Sequence, residues 1–213
     1  MSARERLAAA RLYAILDFGY ADEDRAVETT EQLLAGGADL LQLRAKKLAP
    51  DRIQELARRV QPVCARHGVP LIINDFPEIA VAVGAAGVHI GQDDGSLEAV
   101  RATVGPDLIV GRSTHAVDQA AEAVAEGFDY IGFGPLFPTP TKQGRPGIGL
   151  AQIAEAERVA GCRIPMFCIG GIKQENLPEV LAAGARRAVI VSGLLLAEEV
   201  AAATRQARDL LPG

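Results

Sequence analysis

Residues 132–149 hold five glycines and four prolines, so neither a helix nor an interior strand persists through them. Inside this loop stand Thr139, Pro140, Thr141 and Lys142. Two hydroxyls and an ammonium beside glycine amides suit an anion such as phosphate. A stiff turn carrying a solvated lysine is the plainer reading of the same residues. Two carboxylates, Asp75 and Asp94, each follow a short apolar run. Carboxylates on neighbouring strand ends suit a hard divalent ion, since Mg²⁺ takes one or two of them and completes its shell with water and phosphate oxygens. Asp93 is the alternative ligand in its loop, and a helix cap is the other role open to Asp75. Arg44, Lys46 and Lys142 add positive charge of the kind that stabilises a departing diphosphate.

These residues need elements to position them. Apolar runs recur at 12–16, 40–43, 71–73, 88–90, 108–110, 130–133, 165–169 and 188–191. Most lack polar alternation, as expected of parallel strands covered on both faces. Helical patterns occupy 24–35, 51–67, 78–83, 97–103, 117–126, 150–159, 175–183 and 194–210, and residues 1–11 read as a short leading helix. Glycines at 36–37, 84, 127 and 184 stand between a helix and the next run, where a positive φ closes the helix. Eight βα units in series predict an α/β fold, a (β/α)₈ TIM barrel forming one domain over residues 1–213. A doubly wound open sheet is the competing topology.

A barrel carries its chemistry where the strands end. The polar residues fall there: Gln42, Arg44 and Lys46, Asn74-Asp75, Gln92-Asp93-Asp94, Arg112 to His115, the glycine-rich loop, Gly170-Gly171, and Ser192-Gly193. Loops after strands 7 and 8 are the usual phosphate cradle of this fold, so Gly171, Val191 and Ser192 mark a second anion site. His89 lies within an apolar strand and reads as structural, whereas His115 stands at the mouth, open to substrate contact or to none. Ser113 and His115 are too close in sequence to be taken as a nucleophile and its base.

Composition narrows the class. Of 213 residues 49% are hydrophobic but only 4% aromatic, with no Trp, so Ala, Val, Ile and Leu must build the core. A net charge of −5 speaks against a nucleic-acid binder. No apolar run is long enough for a signal segment or membrane span. Cys64, Cys162 and Cys168 form no CxxC pair and read as reduced thiols in a cytoplasmic protein. Cys168, inside an apolar run, reads as core. Assembly into a homo-oligomer is compatible with all of this.

The ordered stretches 42–46, 73–75, 87–94, 111–115, 134–142, 169–172 and 191–192 together resemble the thiamine-phosphate synthase family over nearly the whole chain. The resemblance implies a transferase joining a hydroxymethylpyrimidine diphosphate to a thiazole phosphate, releasing diphosphate. It implies that Gln42, Leu43, Arg44, Ala45, Lys46, Asn74, Ser113 and Lys142 hold the pyrimidine diphosphate. Arg44, Lys46, Ser113 and Lys142 would be catalytic. Asp75 and Asp94 would ligate Mg²⁺, and Thr139, Pro140, Thr141, Gly171, Val191 and Ser192 would hold the thiazole phosphate. The family usually has Glu where Ala45 stands and Arg or another polar residue where Phe76 stands. Two rivals share the phosphate cradle: a thiazole tautomerase-like isomerase, and a non-catalytic binder of thiazole or thiamine phosphate. The diphosphate and metal residues favour the synthase.

Overall fold

A computed structural model describes residues 1–139 and 147–212. The chain opens with helix α1 (Ala3–Ala9), whose Ser2 and Glu5 form a reciprocal capping box. Eight strands follow: β1 (Leu12–Asp17), β2 (Leu40–Arg44), β3 (Leu71–Asn74), β4 (Gly87–Ile90), β5 (Ile109–Thr114), β6 (Tyr130–Phe133), β7 (Met166–Cys168) and β8 (Ala188–Ile190). Each pairs in parallel with the next and β8 returns to β1, which closes the barrel and removes the open-sheet alternative. The intervening helices are α2 (Ala26–Ala35), α3 (Pro50–His67), α4 (Pro77–Ala82), α5 (Leu97–Val104), α6 (Val117–Glu126), α7 (Ile153–Ala156), α8 (Leu177–Ala182), α9 (Ser192–Leu195) and α10 (Val200–Leu210). Of the glycines expected to close helices, Gly37, Gly84, Gly127 and Gly184 adopt positive φ, from 64° at Gly84 to 108° at Gly184, whereas Gly36 stays right-handed at −76° and leaves the reversal to Gly37.

Two helical expectations need correction. The pattern at 150–159 starts later, at α7, and widens into a π turn over Glu157–Gly161. There the Glu157 carboxylate folds back over Gly161, where a Cβ would lie 2.0 Å from Oε2. Its Oε1 accepts the Arg186 N–H, and burial raises its pKa. The pattern at 194–210 is two helices. Short α9 sits at the barrel mouth, then residues 196–199 turn the chain so that α10 packs on α2. Gly36 permits that approach, since a Cβ there would stand 2.5 Å from the Thr204 Cβ.

The apolar residues divide into two layers. Between the sheet and the helices lies the larger one, including Leu12, Leu41, Leu43, Ile73, Val88, Ile131 and Cys168. Inside the barrel lies the smaller one: Tyr13, Ile15, Leu40, Ile72, Ile109, Tyr130, Phe167 and Val189, closed below by Leu7 and Ala10 of the leading helical segment. Alternate residues of each strand therefore face opposite layers. The inward set continues upward to Gln42 and Arg44, Asn74, His89 and Ser113, which is how the fold gathers polar groups at one end. Registers Asn74↔His89, His89↔Gly111 and Ser113↔Gly132 keep these residues level across strands β3 to β6.

The interior is tightly fitted at Gly111. A Cβ on Gly111 would fall 2.1 Å from the Tyr130 ring. Gly111→Ala is expected to cost about 2 kcal/mol through overpacking, read as a melting point lower by roughly 4–8 °C. A variant that melts with the parent would show that the ring has room to move.

Candidate active site

The strand ends surround a cavity that opens at the barrel mouth. Of the residues expected there, Gln42, Arg44, Asn74, Ser113, Thr139, Gly171, Val191 and Ser192 line it. They arrive from β2, β3 and β5 on one side and from the loops after β6, β7 and β8 on the other. Pro140, Thr141 and Lys142 lie outside the described residues. Leu43 and Ala45 belong to the outer apolar layer, so their side chains face the helices rather than the cavity. Phe76, at the N-cap of α4, also packs against that outer layer.

Charge on the β2 side is arranged in pairs. The Arg44 guanidinium lies 2.5 Å from the carboxylate of Asp17, the last residue of β1, which is 2% exposed. Asp17 also accepts the Gly19 N–H. Lys46 Nζ lies 2.8 Å from Asp75 Oδ2 at the more exposed rim. Asp75 is the sole described non-glycine residue at positive φ, 66°, a conformation that costs free energy and collects at functional sites. The loop after β4 is held by other bonds. Asp94 Oδ2 accepts the Gly91 N–H at 2.7 Å, while Arg112 donates to the carbonyls of Gln92 and Gly95. Both Asp93 and Asp94 are exposed. Asp75 and Asp94 thus stand beyond the ends of paired strands β3 and β4. Neither carboxylate lines the cavity, and among the described residues no group of three or more His, Cys, Asp or Glu is placed to hold an ion, so a hard divalent cation there would need water or phosphate oxygens for most of its shell.

On the opposite side, Gly170 and Gly171 take φ of 102° and 67°. The Phe137 N–H donates to the Gly170 carbonyl, and Asn176 Nδ2 donates to the Gly171 carbonyl. These bonds pin the turn from both flanks. Ser192 and Gly193 begin α9, so their amides have no intrahelical acceptor and are available to an anion.

The sequence singles out neither Tyr13 nor Tyr130 for this site and reads His89 as structural. Tyr13 and His89 line the cavity floor, and Tyr130 stands behind them. His89 Nε2 is 3.0 Å from Ser113 Oγ, so the histidine beside the serine is His89 and not His115. His115 instead engages the Gly134 carbonyl through Nδ1 and takes the Gln119 side-chain oxygen on its amide. Tyr13 and His89 share the inward face with Gln42 and Ser113, an alignment across four strands that the closed barrel sets. Cys168 is buried, and burial pushes its thiol pKa up, which leaves it inert as a nucleophile.

The geometry thus joins a cationic, carboxylate-bearing rim to an amide-lined cradle across one cavity. Comparison with known proteins shows the family. Residues 12–194 match the family model described as thiamine monophosphate synthase. The chain is 44% identical over 196 residues to a thiamine-phosphate synthase of Gloeobacter violaceus, covering 92% of this chain and 56% of that protein. It is 41% identical over 196 residues to the thiamine-phosphate synthase of Shouchella clausii, covering 92% and 93% respectively. A thiamine phosphate pyrophosphorylase structure from Pyrococcus furiosus superposes with a TM-score of 0.85 at 31% identity, covering 97% of this chain and 96% of that one. The chain belongs to the thiamine monophosphate synthase family.

Proposed function

We infer that the chain is a transferase that condenses 4-amino-2-methyl-5-hydroxymethylpyrimidine diphosphate with thiazole phosphate, giving thiamine phosphate and diphosphate. The observation that carries this reading is the two-sided cavity. Arg44 lines the cavity from β2, the Lys46–Asp75 pair follows β2 and β3 outside its lining, and Gly171 and Ser192 line it from the loops after β7 and β8. One anionic group can be held on each side with the reacting carbons between them.

In the reaction the methylene C–O bond breaks and its electron pair leaves with diphosphate. The thiazole nitrogen lone pair then forms the C–N bond, so no protein nucleophile or general base is needed. Arg44 and Lys46 meet the growing negative charge on the leaving group, a role Lys142 would share. Gln42, Asn74 and Ser113 orient the pyrimidine side. Thr139, Val191, the Gly171 turn and the amides at Ser192 hold the thiazole phosphate, a role that Pro140 and Thr141 would share. Held this way, the two substrates react as an orientated pair, which removes much of the entropic barrier.

Asp75 and Asp94 would hold Mg²⁺, which when bound supplies a Lewis acid that neutralises the diphosphate. Lys46, whose ammonium pairs with Asp75, would meet the diphosphate beside that site. Asp94→Ala is expected to raise the Mg²⁺ concentration for half-maximal rate about 10-fold, the size of losing an orienting carboxylate, with a melting point lower by only about 2–4 °C, since the exposed side chain gives up just its bond from the Gly91 N–H. If Asp93→Ala has that effect and Asp94→Ala does not, the ligand assignment passes to Asp93.

The functional test is incubation of purified protein with both substrates and Mg²⁺, followed by assay of diphosphate and thiamine phosphate. A tautomerase-like isomerase would release no diphosphate, and a binding protein would retain thiazole phosphate without turnover. Free thiols at Cys64, Cys162 and Cys168 suit the reducing cytoplasm, where we place the enzyme.

A further inference from the structure

A chain of hydrogen bonds crosses the barrel floor through five strands. Gln42 Nε2 donates to the Tyr13 hydroxyl at 2.8 Å. The Tyr13 and Tyr130 hydroxyls are 2.9 Å apart. Tyr130 lies 3.0 Å from His89 Nδ1, and His89 Nε2 lies 3.0 Å from Ser113 Oγ. The links belong in turn to β2, β1, β6, β4 and β5, so the chain is a product of barrel closure. The Tyr130 ring occupies the space that Gly111 leaves open, which fixes its place beneath His89.

The polarity of this chain follows from its members. Both phenols are buried, and burial raises their pKa, so each keeps its proton. The Tyr13 oxygen already accepts the Gln42 N–H, which directs the Tyr13 proton to Tyr130. Tyr130 then directs its own proton to His89 Nδ1. An imidazole that accepts at Nδ1 carries its proton on Nε2 when neutral and donates from there to Ser113 Oγ. The serine proton is thereby turned away from the ring and towards the cavity.

We infer that Tyr13, Tyr130 and His89 are positioning residues that set Ser113 as a hydrogen-bond donor to the substrate. The inference rests on the reading that an anionic pyrimidine diphosphate occupies this side of the cavity. An anion needs donors, whereas the opposite polarity would present it with serine lone pairs. Gln42 thus has a second role, because its amide orients a hydroxyl several side chains further along the chain. His89 acts through Ser113 and does not serve as its base.

The test is ¹⁵N NMR of ring-labelled histidine in the full chain, with no substrate present. The His89 signal is identified by its loss in His89→Asn. The neutral tautomer protonated on Nε2 is expected, and a proton on Nδ1 would overturn the proposal. Tyr130→Phe deletes the donor to Nδ1. It should release the tautomer and lower kcat roughly 3- to 10-fold, the worth of one neutral hydrogen bond, with KM for thiazole phosphate unchanged. An unaltered ring spectrum with unaltered kcat would also overturn it. If Tyr130→Phe does not fold, the wild-type spectrum decides alone. An Nε2-protonated His89 in a protein without synthase activity would support the polarity while sinking the functional reading, so the two failures remain separable.

Discussion

Replacing Arg44 with Gln is expected to weaken the fold and the reaction together, and the two effects can be separated. Arg44 forms an ion pair with Asp17, a carboxylate 2% exposed at the top of β1. Removing one member of a buried pair typically costs about 3–5 kcal/mol, because the other charge stays desolvated. For a chain of this size that is a fall in melting point of roughly 6–20 °C. Loss of a cation facing a leaving diphosphate should also lower kcat by roughly 100- to 1,000-fold. The double variant Asp17→Asn with Arg44→Gln separates the two. It should regain most of the melting point, since no buried charge remains, and none of the rate. A double variant that recovers turnover would show that Arg44 serves only to neutralise Asp17, and its place in catalysis would be withdrawn.

The second large effect is expected at the cradle. Gly171 has φ of 67°, and a Cβ there would stand 2.7 Å from the Phe137 Cβ. A β-branched residue meets both obstacles: left-handed backbone strain of about 1–3 kcal/mol and a comparable packing cost. Gly171→Val should raise KM for thiazole phosphate by about 100-fold, equivalent to about 2.7 kcal/mol, with a much smaller effect on the pyrimidine diphosphate. Ser192→Ala serves as the contrast. If α9 presents its amides, the hydroxyl is dispensable and thiazole phosphate affinity should change less than about 3-fold, under 1 kcal/mol. Calorimetry with thiazole phosphate reads both variants. A Ser192→Ala protein that loses the ligand while Gly171→Val retains it would reverse the assignment of the cradle to backbone amides.

The same alternation that makes the barrel legible also hides part of its site. Eight apolar runs with helical patterns between them specify a parallel barrel, because runs without polar alternation need cover on both faces. Glycines such as Gly84 and Gly184 mark the helix ends for a local reason, their positive φ. The clustering of Gln42, Arg44, Asn74 and Ser113 at one end follows once the strand ends are known. Within an unbroken apolar strand, however, nothing local says which alternate residues face the interior. The direction in which the sheet curves decides that, and curvature belongs to the closed barrel. It turns Leu43 and Ala45 outward while Gln42 and Arg44 face the cavity, and it brings Tyr13 and Tyr130 within 2.9 Å although 117 positions separate them. Tertiary structure likewise chose the partners: Asp17 for Arg44, Asp75 for Lys46, and His89 in place of His115 for Ser113. Each pairing joins residues on different strands or strand ends. Its distance is set by barrel closure and register, which no single stretch of sequence contains.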